Sequence, residues 1–496
     1  MIRPGQARDI LSSRTSIVVG ETLATSLLGF LTFALIVRAT DLDTVGLWVL
    51  INSLLGFSRA ADVWSRGVSS FVAQARAEES DAAAVGYVTT AALSAAVGYL
   101  LTALIAGGVF SLILPWLVQP HEEAIVRQML PLMLITFWLM SMATVYQLGF
   151  LGFSRPLYKA VQTIGGNLIF LAGTAWLAPA MGITGLLLAQ IFQGAAMLVF
   201  AVVALHFRLA PVPGLRLWDR AKFGQLAIFG GKATAIGALQ LATEPILRLL
   251  ANHFGGASSV ALVDLASRIV QVVRGIVSAI GQNLIPSFAR ITRADPAEQT
   301  GYFLHTRHLI VLLAVPLMGG AIVASAGLGI LVLGRYSPQL TTLTLIIGLG
   351  WLTSLLSSPA YFLLFGWRLI RPLMATHIAM VAGMVILGGF AGWIAGLMGA
   401  MVGGMAGVAI ASLTLTRTAN RHLSQTAPAL RWTWPDLIPF TPILLAALVP
   451  FVIMPMARSP TSAALLATLS LAGVVMFTLV NFPFSHALKL VRNIDN

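Results

Sequence analysis

Residues 152–157 read GFSRPL, and residues 366–373 read GWRLIRPL. Each stretch leads into an apolar run, at 157–178 and at 372–393. Both runs are long enough to cross a bilayer, because a transmembrane helix needs about 20 mostly apolar residues. Similar runs recur along the rest of the chain. The sequence therefore predicts an all-α membrane protein with many spans.

A pair of glycines follows each run, Gly182 and Gly185 in the first case and Gly396 and Gly399 in the second. The shift is 396 − 182 = 214 residues for the glycines and 371 − 155 = 216 residues for the arginine that precedes each run. Ordered matches at nearly one shift indicate an internal repeat of six helices. The alternative is that basic loop residues and helix-opening glycines recur in any polytopic protein.

The composition supports a lipid-facing surface. The chain is 58% hydrophobic and 9% charged, with a mean hydropathy of +0.89, whereas a soluble domain carries about 25% charged residues. Charges this few cannot cover a folded surface in water. We predict about fourteen spans, near 15–37, 44–70, 86–115, 128–150, 157–178, 183–205, 223–249, 258–285, 308–332, 340–364, 372–393, 396–416, 437–456 and 463–482.

The distribution of basic residues predicts the orientation and explains the net charge of +13. With the N-terminus inside, most of the 30 Lys and Arg fall in inside segments, and the outside segments hold only Arg38, Arg127, Arg335 and Arg458. Both termini are therefore predicted to be cytoplasmic, and residues 1–14 are interpreted as a cytoplasmic start rather than a removed signal peptide.

The repeat predicts two pseudo-symmetric six-helix lobes, related by an axis along the membrane normal because six spans return the chain to the same side. Two C-terminal helices fall outside the repeat. The predicted divisions are an N-lobe at 1–208, a cytoplasmic linker at 209–222, a C-lobe at 223–416, a second cytoplasmic linker at 417–436, and spans thirteen and fourteen with the tail at 437–496.

Charged residues inside the spans are the strongest functional signal, because an arginine at mid-bilayer costs about 2.5–3.5 kcal/mol on insertion scales. Such groups must face one another or a water-filled cavity. Six cations and four acids give a surplus of 6 − 4 = 2 positive charges, which suits an anionic substrate. The cations are Arg59, Arg66, Lys232, Arg248, Arg268 and Arg274, and the acids are Glu21, Asp62, Glu244 and Asp264.

Helical spacing places these groups on shared faces. Arg59, Asp62 and Arg66 lie on one face of the second span. Asp264, Arg268 and Gln271 form a similar stripe on the eighth, with Arg274 close to it. The competing interpretation is structural ion pairing, such as Asp62 with Arg59 or Arg66, and Asp264 with Arg268.

Glu21 and Lys232 occupy equivalent positions of the two halves with opposite charge. We hypothesise that they pair and close a cytoplasmic gate, the alternative being two unrelated charges that reach the membrane interface. Glu21 and Glu244 are also candidates for coupling transport to H⁺ or Na⁺, and no other cofactor is expected.

Several protein classes are disfavoured. The chain has no Cys, and it contains no P-loop, G-x-S-x-G motif, dinucleotide fingerprint or His/Glu metal cluster. No loop exceeds about 25 residues, so an enzymatic domain outside the membrane is not expected. In a membrane protein, the positive charge does not indicate nucleic-acid binding.

The segment from Asp41 to Trp48 resembles the opening of the second helix in polysaccharide transporters. Gly67-Val68 with Arg76, the stretch 152–156, Asn167 and Gly182-x-x-Gly185 resemble later parts of that family. Together they look like a Wzx-type flippase for O-antigen or exopolysaccharide, in the polysaccharide transporter branch of the MATE-like MOP superfamily, over residues 15–416.

The resemblance implies two lobes around a cavity in a bacterial inner-membrane protein. It also implies that an undecaprenyl-diphosphate-linked oligosaccharide crosses from the cytoplasmic to the periplasmic leaflet. Expected partners are this lipid-linked substrate, the bilayer and polysaccharide polymerase or export machinery, with the monomer as the functional form. Substrate binding is assigned to Arg59, Arg66, Arg248, Arg268, Gln271 and Arg274, and gating or coupling to Glu21, Asp62, Lys232, Glu244 and Asp264.

Two alternatives stay open. The first is a cation-coupled multidrug exporter of the MATE type, although surplus arginine would repel its mostly cationic substrates. The second is a membrane polysaccharide polymerase or ligase, for which the outside loops are short. The first helix carries Glu21 but lacks the arginine cluster of the lipid II flippase branch, which disfavours a peptidoglycan precursor.

Overall fold

The computed structural model describes residues 4–57, 65, 67–209, 218–282, 296–367 and 369–424. These ranges are helical and contain no β-strand, which confirms the predicted all-α class. The predicted spans near 437–456 and 463–482 lie outside the described residues.

The described residues form eleven α-helices, and a short π-helix at Ala204–Leu209 extends the sixth. They are α1 Pro4–Ala39, α2 Leu42–Phe57, α3 Val68–Glu78, α4 Asp81–Leu117, α5 Pro120–Gly152, α6 Pro156–Val203, α7 Arg220–Gln282, α8 Pro296–Leu333, α9 Pro338–Leu356, α10 Ser358–Gly366 and α11 Ile370–Ser424. Seven segments in the described ranges are long and apolar enough to cross a membrane, and α7 is not among them. The charges of α7 set it apart from its neighbours.

The helix α6 is a hairpin of two antiparallel arms that turns at Gly182. This residue has φ 58° and ψ −132°, a conformation that only glycine adopts without strain. The arms are joined by hydrogen bonds from Gln162 Nε2 to the Met197 carbonyl (3.0 Å) and from Gln193 Nε2 to Asn167 Oδ1 (3.4 Å). The predicted spans five and six are these two arms.

The helix α11 turns in the same way at Gly396, which has φ 62° and ψ −147°. Its arms approach closely where Gly383 faces Gly407, because a Cβ on Gly383 would lie 2.9 Å from the Gly407 Cα. Small residues at such crossings let two backbones come together in a bilayer.

The turns of α6 and α11 correspond in backbone detail. A Cβ on Gly185 would clash with the carbonyl oxygen of Leu177, and a Cβ on Gly399 would clash with that of Ala391. The shift between these pairs is again 391 − 177 = 214 residues. The repeated G-x-x-G sequence therefore marks one turn, built twice.

The chain forms two compact units, unit 1 at Met1–Pro245 and unit 2 at Ile246–Asn496. The division falls inside α7, so the first arm of α7 belongs largely to unit 1 and its second arm to unit 2. The lobe and linker boundaries set by composition, with a linker at 209–222, stay predictions.

Large apolar side chains stand exposed along α4. Leu104, Ile105 and Trp116 are 64%, 68% and 83% exposed. Contiguous apolar surface of this kind is unfavourable in water, so this face of unit 1 is suited to contact with lipid tails.

The acidic turn before α2 forms a helix cap. The Thr44 backbone N–H and its hydroxyl donate to the two carboxylate oxygens of Asp41, each at 2.8 Å. Burial raises the pKa of Asp41, but these hydrogen bonds outweigh it and leave the pKa below its ordinary value. Asp41 thus satisfies an otherwise unpaired N–H at the start of the second span.

Candidate anion site in unit 2

The candidate site begins at the turn of α7. Gly256 has φ 76° and ψ 179°, and the chain folds back there into two arms. Arg248 lies eight residues before the turn and Asp264 eight residues after it, since 256 − 248 = 8 and 264 − 256 = 8. Arg248 Nη2 donates to Asp264 Oδ1 at 2.7 Å, so the hairpin brings together residues from two predicted spans.

Asp264 binds a second arginine on its own arm. Arg268 Nε donates to Asp264 Oδ2 at 2.6 Å, at a spacing of one helical turn. The Asp264 side chain is 1% exposed, whereas that of Arg268 is 39% exposed. The predicted Asp264–Arg268 ion pair is therefore present, and Arg248 is a second cation on the same carboxylate. The trio carries two positive charges and one negative charge.

Arg274 lies six residues further along the same arm and stacks on an aromatic ring of α9. Its guanidinium carbon is 3.4 Å from the centre of the Trp351 ring. Trp351 is buried, Arg274 is half-buried and Gln271 is exposed. Residues 246–282 hold three arginines and one aspartate, a balance of 3 − 1 = +2.

A second buried ion pair lies in unit 1. Lys159 Nζ, in the first turn of α6, is 2.5 Å from Glu21 Oε1 of α1. The Glu21 side chain is 8% exposed and that of Lys159 is 27% exposed. The contact of Glu21 in this structure is therefore with Lys159. The side chain of Lys232 lies outside the described part of the chain, so the Glu21–Lys232 gate stays a prediction.

The remaining predicted residues are placed only in part. Arg59, Asp62 and Arg66 lie outside the described residues, so the stripe on the second span stays a prediction. Glu244 is half-buried in the first arm of α7, one helical turn before Arg248. Its predicted role in coupling is untested.

Trp351 and Lys159 were missed by the sequence analysis. Trp351 sits in an apolar span, and nothing in its neighbourhood in the sequence distinguishes it from a lipid-facing tryptophan. Lys159 is one of the basic residues that the orientation argument places on the inside, next to the start of the predicted span 157–178. Lys159 lies three residues after Pro156, a residue typical of a helix start, and this position indicates a side chain in the first turn of a helix rather than in a loop.

The arrangement in unit 2 is suited to an anion. Planar guanidinium groups donate paired hydrogen bonds to phosphate oxygens, and a low-dielectric surrounding strengthens the attraction. Within the described ranges, no group of three or more His, Asp or Glu residues is placed to hold a metal ion. The site therefore offers hydrogen-bond donors and positive charge to an anionic ligand.

The fold matches those of known membrane transporters. A multidrug resistance MATE family transporter of the MOP superfamily, in an inward-facing conformation, superposes with a TM-score of 0.67 at 13% identity, over 83% of this chain and 98% of that one. The lipid II flippase MurJ, in an inward closed conformation, gives 0.66 at 12% identity over 94% and 99%. A MOP superfamily transporter from Pyrococcus furiosus gives 0.61 at 11% identity over 84% and 95%. This chain is thus a multi-pass membrane protein with the MOP superfamily fold.

The family follows from the sequence itself. The family described as polysaccharide biosynthesis protein matches residues 45–336, more than half of the 496 residues, and the chain belongs to this family. The matched range includes Arg248, Asp264, Arg268 and Arg274, while Glu21 and Trp351 fall outside it. No curated protein matches the chain by sequence.

Proposed function

We propose that this protein is a flippase that moves an undecaprenyl-diphosphate-linked oligosaccharide from the cytoplasmic to the periplasmic leaflet by alternating access. The observation that carries the proposal is the surplus of positive charge in residues 246–282, the part of α7 that belongs to unit 2, whose other described helices are largely apolar. Family membership in polysaccharide biosynthesis supports a glycan substrate. The fold, which MurJ shares, supports transport of a lipid-linked substrate.

The charge of α7 distinguishes this proposal from multidrug export, which the fold alone also allows. A cationic drug would meet three arginines and only one aspartate in residues 246–282. Like charges at close range in a low-dielectric site repel by several kcal/mol. A diphosphate headgroup meets attraction instead, and its polyprenyl tail stays in lipid.

The expected pathway is non-enzymatic. Substrate shifts the conformational equilibrium only through its different affinities for the two states. We therefore expect Arg268 and Arg274 to contact the diphosphate more fully in the closed state. The same proposal includes coupling to H⁺ or Na⁺ through Glu21 or Glu244. It also includes localisation in the inner membrane with cytoplasmic termini, a functional monomer and association with a polymerase.

The test is delivery of a fluorescent undecaprenyl-diphosphate saccharide across proteoliposomes by Arg268→Gln/Arg274→Gln. We expect delivery to fall at least about tenfold, because each charge-assisted hydrogen bond to phosphate contributes about 1.5–3 kcal/mol. Because Arg268 also holds Asp264, Arg274→Gln is measured alone as well, with thermal unfolding as the check on folding.

The matched control is Arg127→Gln, since Arg127 forms an exposed pair with Glu123 at 2.7 Å, far from α7 in sequence. It should deliver at the wild-type rate. Wild-type delivery by a folded Arg268→Gln/Arg274→Gln protein would remove these residues from the proposed site.

A further inference from the structure

The contact of Arg274 with Trp351 has a specific geometry. At 3.4 Å from the ring centre, the guanidinium carbon is at stacking distance, so the aromatic ring covers one face of the guanidinium. Stacking uses no N–H group. The five donors of a guanidinium point outward in its own plane, and a flat aromatic neighbour fixes that plane. Trp351 therefore restricts the orientation of Arg274 without consuming a donor.

Helix packing explains why the two residues meet. A Cβ on Gly348 would lie 3.7 Å from Val270 Cγ2, an ordinary van der Waals distance, so α9 packs beside the second arm of α7 at this point. One turn further on in each helix lie Arg274 (274 − 270 = 4) and Trp351 (351 − 348 = 3). The stacking thus lies one helical turn beyond the contact between Gly348 and Val270.

Trp351 itself is poorly placed to bind a ligand, because it is 5% exposed. Arg274 is half-buried. Within the stacked pair, Trp351 is therefore the buried member and Arg274 the more exposed one. This differs from an aromatic side chain that offers its face to a sugar.

We propose that Trp351 is a positioning residue that presents the planar fork of Arg274 to the diphosphate of the lipid-linked substrate. This inference rests on the proposed function and deepens it. In a diphosphate, a held fork can donate to one oxygen of each phosphate at once, which a monophosphate cannot offer, so the pair favours a diphosphate over a monophosphate. A lysine at position 274 would keep the charge but lose both the fork and most of the stacking.

The experiment measures binding of farnesyl diphosphate and farnesyl monophosphate to the full-length protein in nanodiscs by isothermal titration. The variants are Trp351→Leu, Arg274→Gln and the double variant. We expect Trp351→Leu to weaken diphosphate binding about tenfold in the wild-type background, in the range expected for a desolvated cation–π contact. In the Arg274→Gln background the same change should have no further effect, because Trp351 acts through Arg274.

Two further variants keep the test valid where Trp351→Leu does not fold. Trp351→Phe retains a ring face and should bind nearly as well as wild type. Arg274→Lys should lose most of the preference for diphosphate over monophosphate. The matched control is Trp393→Leu, because Trp393 is 80% exposed in unit 2, and it should bind as wild type does.

The outcomes separate the inference from the proposed function. Equal losses from Trp351→Leu in both backgrounds, or an unchanged ligand preference in Arg274→Lys, would mean that Trp351 is a packing residue only and would overturn the inference. A wild-type protein that binds neither lipid would overturn the proposed function, and the inference with it.

Discussion

At the residue scale, two carboxylates organise the described charges. Asp264 is almost fully buried and holds Arg248 and Arg268, while Glu21 holds Lys159. A buried acid of this kind lets more than one cation sit in an apolar unit, because it offsets part of the desolvation cost. The surplus cations keep the site positive. Asp264 in unit 2 and Glu21 in unit 1 therefore have a structural role, which is to hold neighbouring cations in place.

The Glu21–Lys159 pair gives a residue-scale prediction. Glu21→Gln leaves Lys159 without this carboxylate in a poorly solvated place, and breaking a buried pair costs about 3–5 kcal/mol at full burial. Since Lys159 is 27% exposed, we expect a smaller loss, about 1–3 kcal/mol. The measurement is the free energy of unfolding in detergent.

The exchanged pair, Glu21→Lys with Lys159→Glu, should recover part of that loss. Glu123→Gln, which breaks the exposed pair with Arg127, should cost less than about 1 kcal/mol. Equal costs for Glu21→Gln and Glu123→Gln would show that burial of the Glu21 pair contributes nothing.

At the scale of the helices, three hairpins organise the described chain, and each turns at a glycine with positive φ. Gly182 and Gly256 fall between predicted spans, and Gly396 is the first residue of the predicted span 396–416. The hairpin at Gly256 is the one that places Arg248 opposite Asp264. The turn at Gly256 thereby determines that Arg248 and Asp264 form an ion pair.

The turn glycines give the element-scale prediction. Gly182→Ala and Gly396→Ala should each destabilise the protein by about 1–3 kcal/mol, because alanine is strained in that backbone conformation. Because the two turns are alike, their losses should agree within about 1 kcal/mol. Thermal unfolding in detergent measures both.

The control is Gly165→Ala, since Gly165 lies inside α6 with open space around its Cα. Alanine is favoured over glycine there by about 0.5–1 kcal/mol, so this variant should be neutral or more stable. A stable Gly182→Ala would contradict the account of the turn.

The sequence predicts these elements better than their contacts. Apolar run length and the repeated glycines locate the arms of α6 and α11, since both are local properties of the chain. The one-turn spacing of Asp264 and Arg268 predicts their ion pair for the same reason. Glu21–Lys159 and Arg274–Trp351 join distant segments, and their formation depends on how whole helices pack. Nothing in the sequence near Trp351 indicates that α9 packs against the second arm of α7.

At the scale of the whole molecule, the fold allows more than one transport function, and the positive charge of the candidate site is our reason for proposing a lipid-linked substrate. The fold is shared by drug exporters and by a lipid flippase, and the family concerns polysaccharide biosynthesis. Cytoplasmic termini and the predicted direction of transport follow from the basic loops and from the resemblance, and both stay predictions.

The most direct measurement compares two substrates in the same proteoliposomes, a fluorescent undecaprenyl-diphosphate saccharide and ethidium. The account predicts that wild-type protein accelerates leaflet exchange of the diphosphate lipid, that Arg274→Gln loses this acceleration, and that ethidium is not transported. Ethidium transport that survives in Arg274→Gln, without exchange of the lipid, would contradict the account.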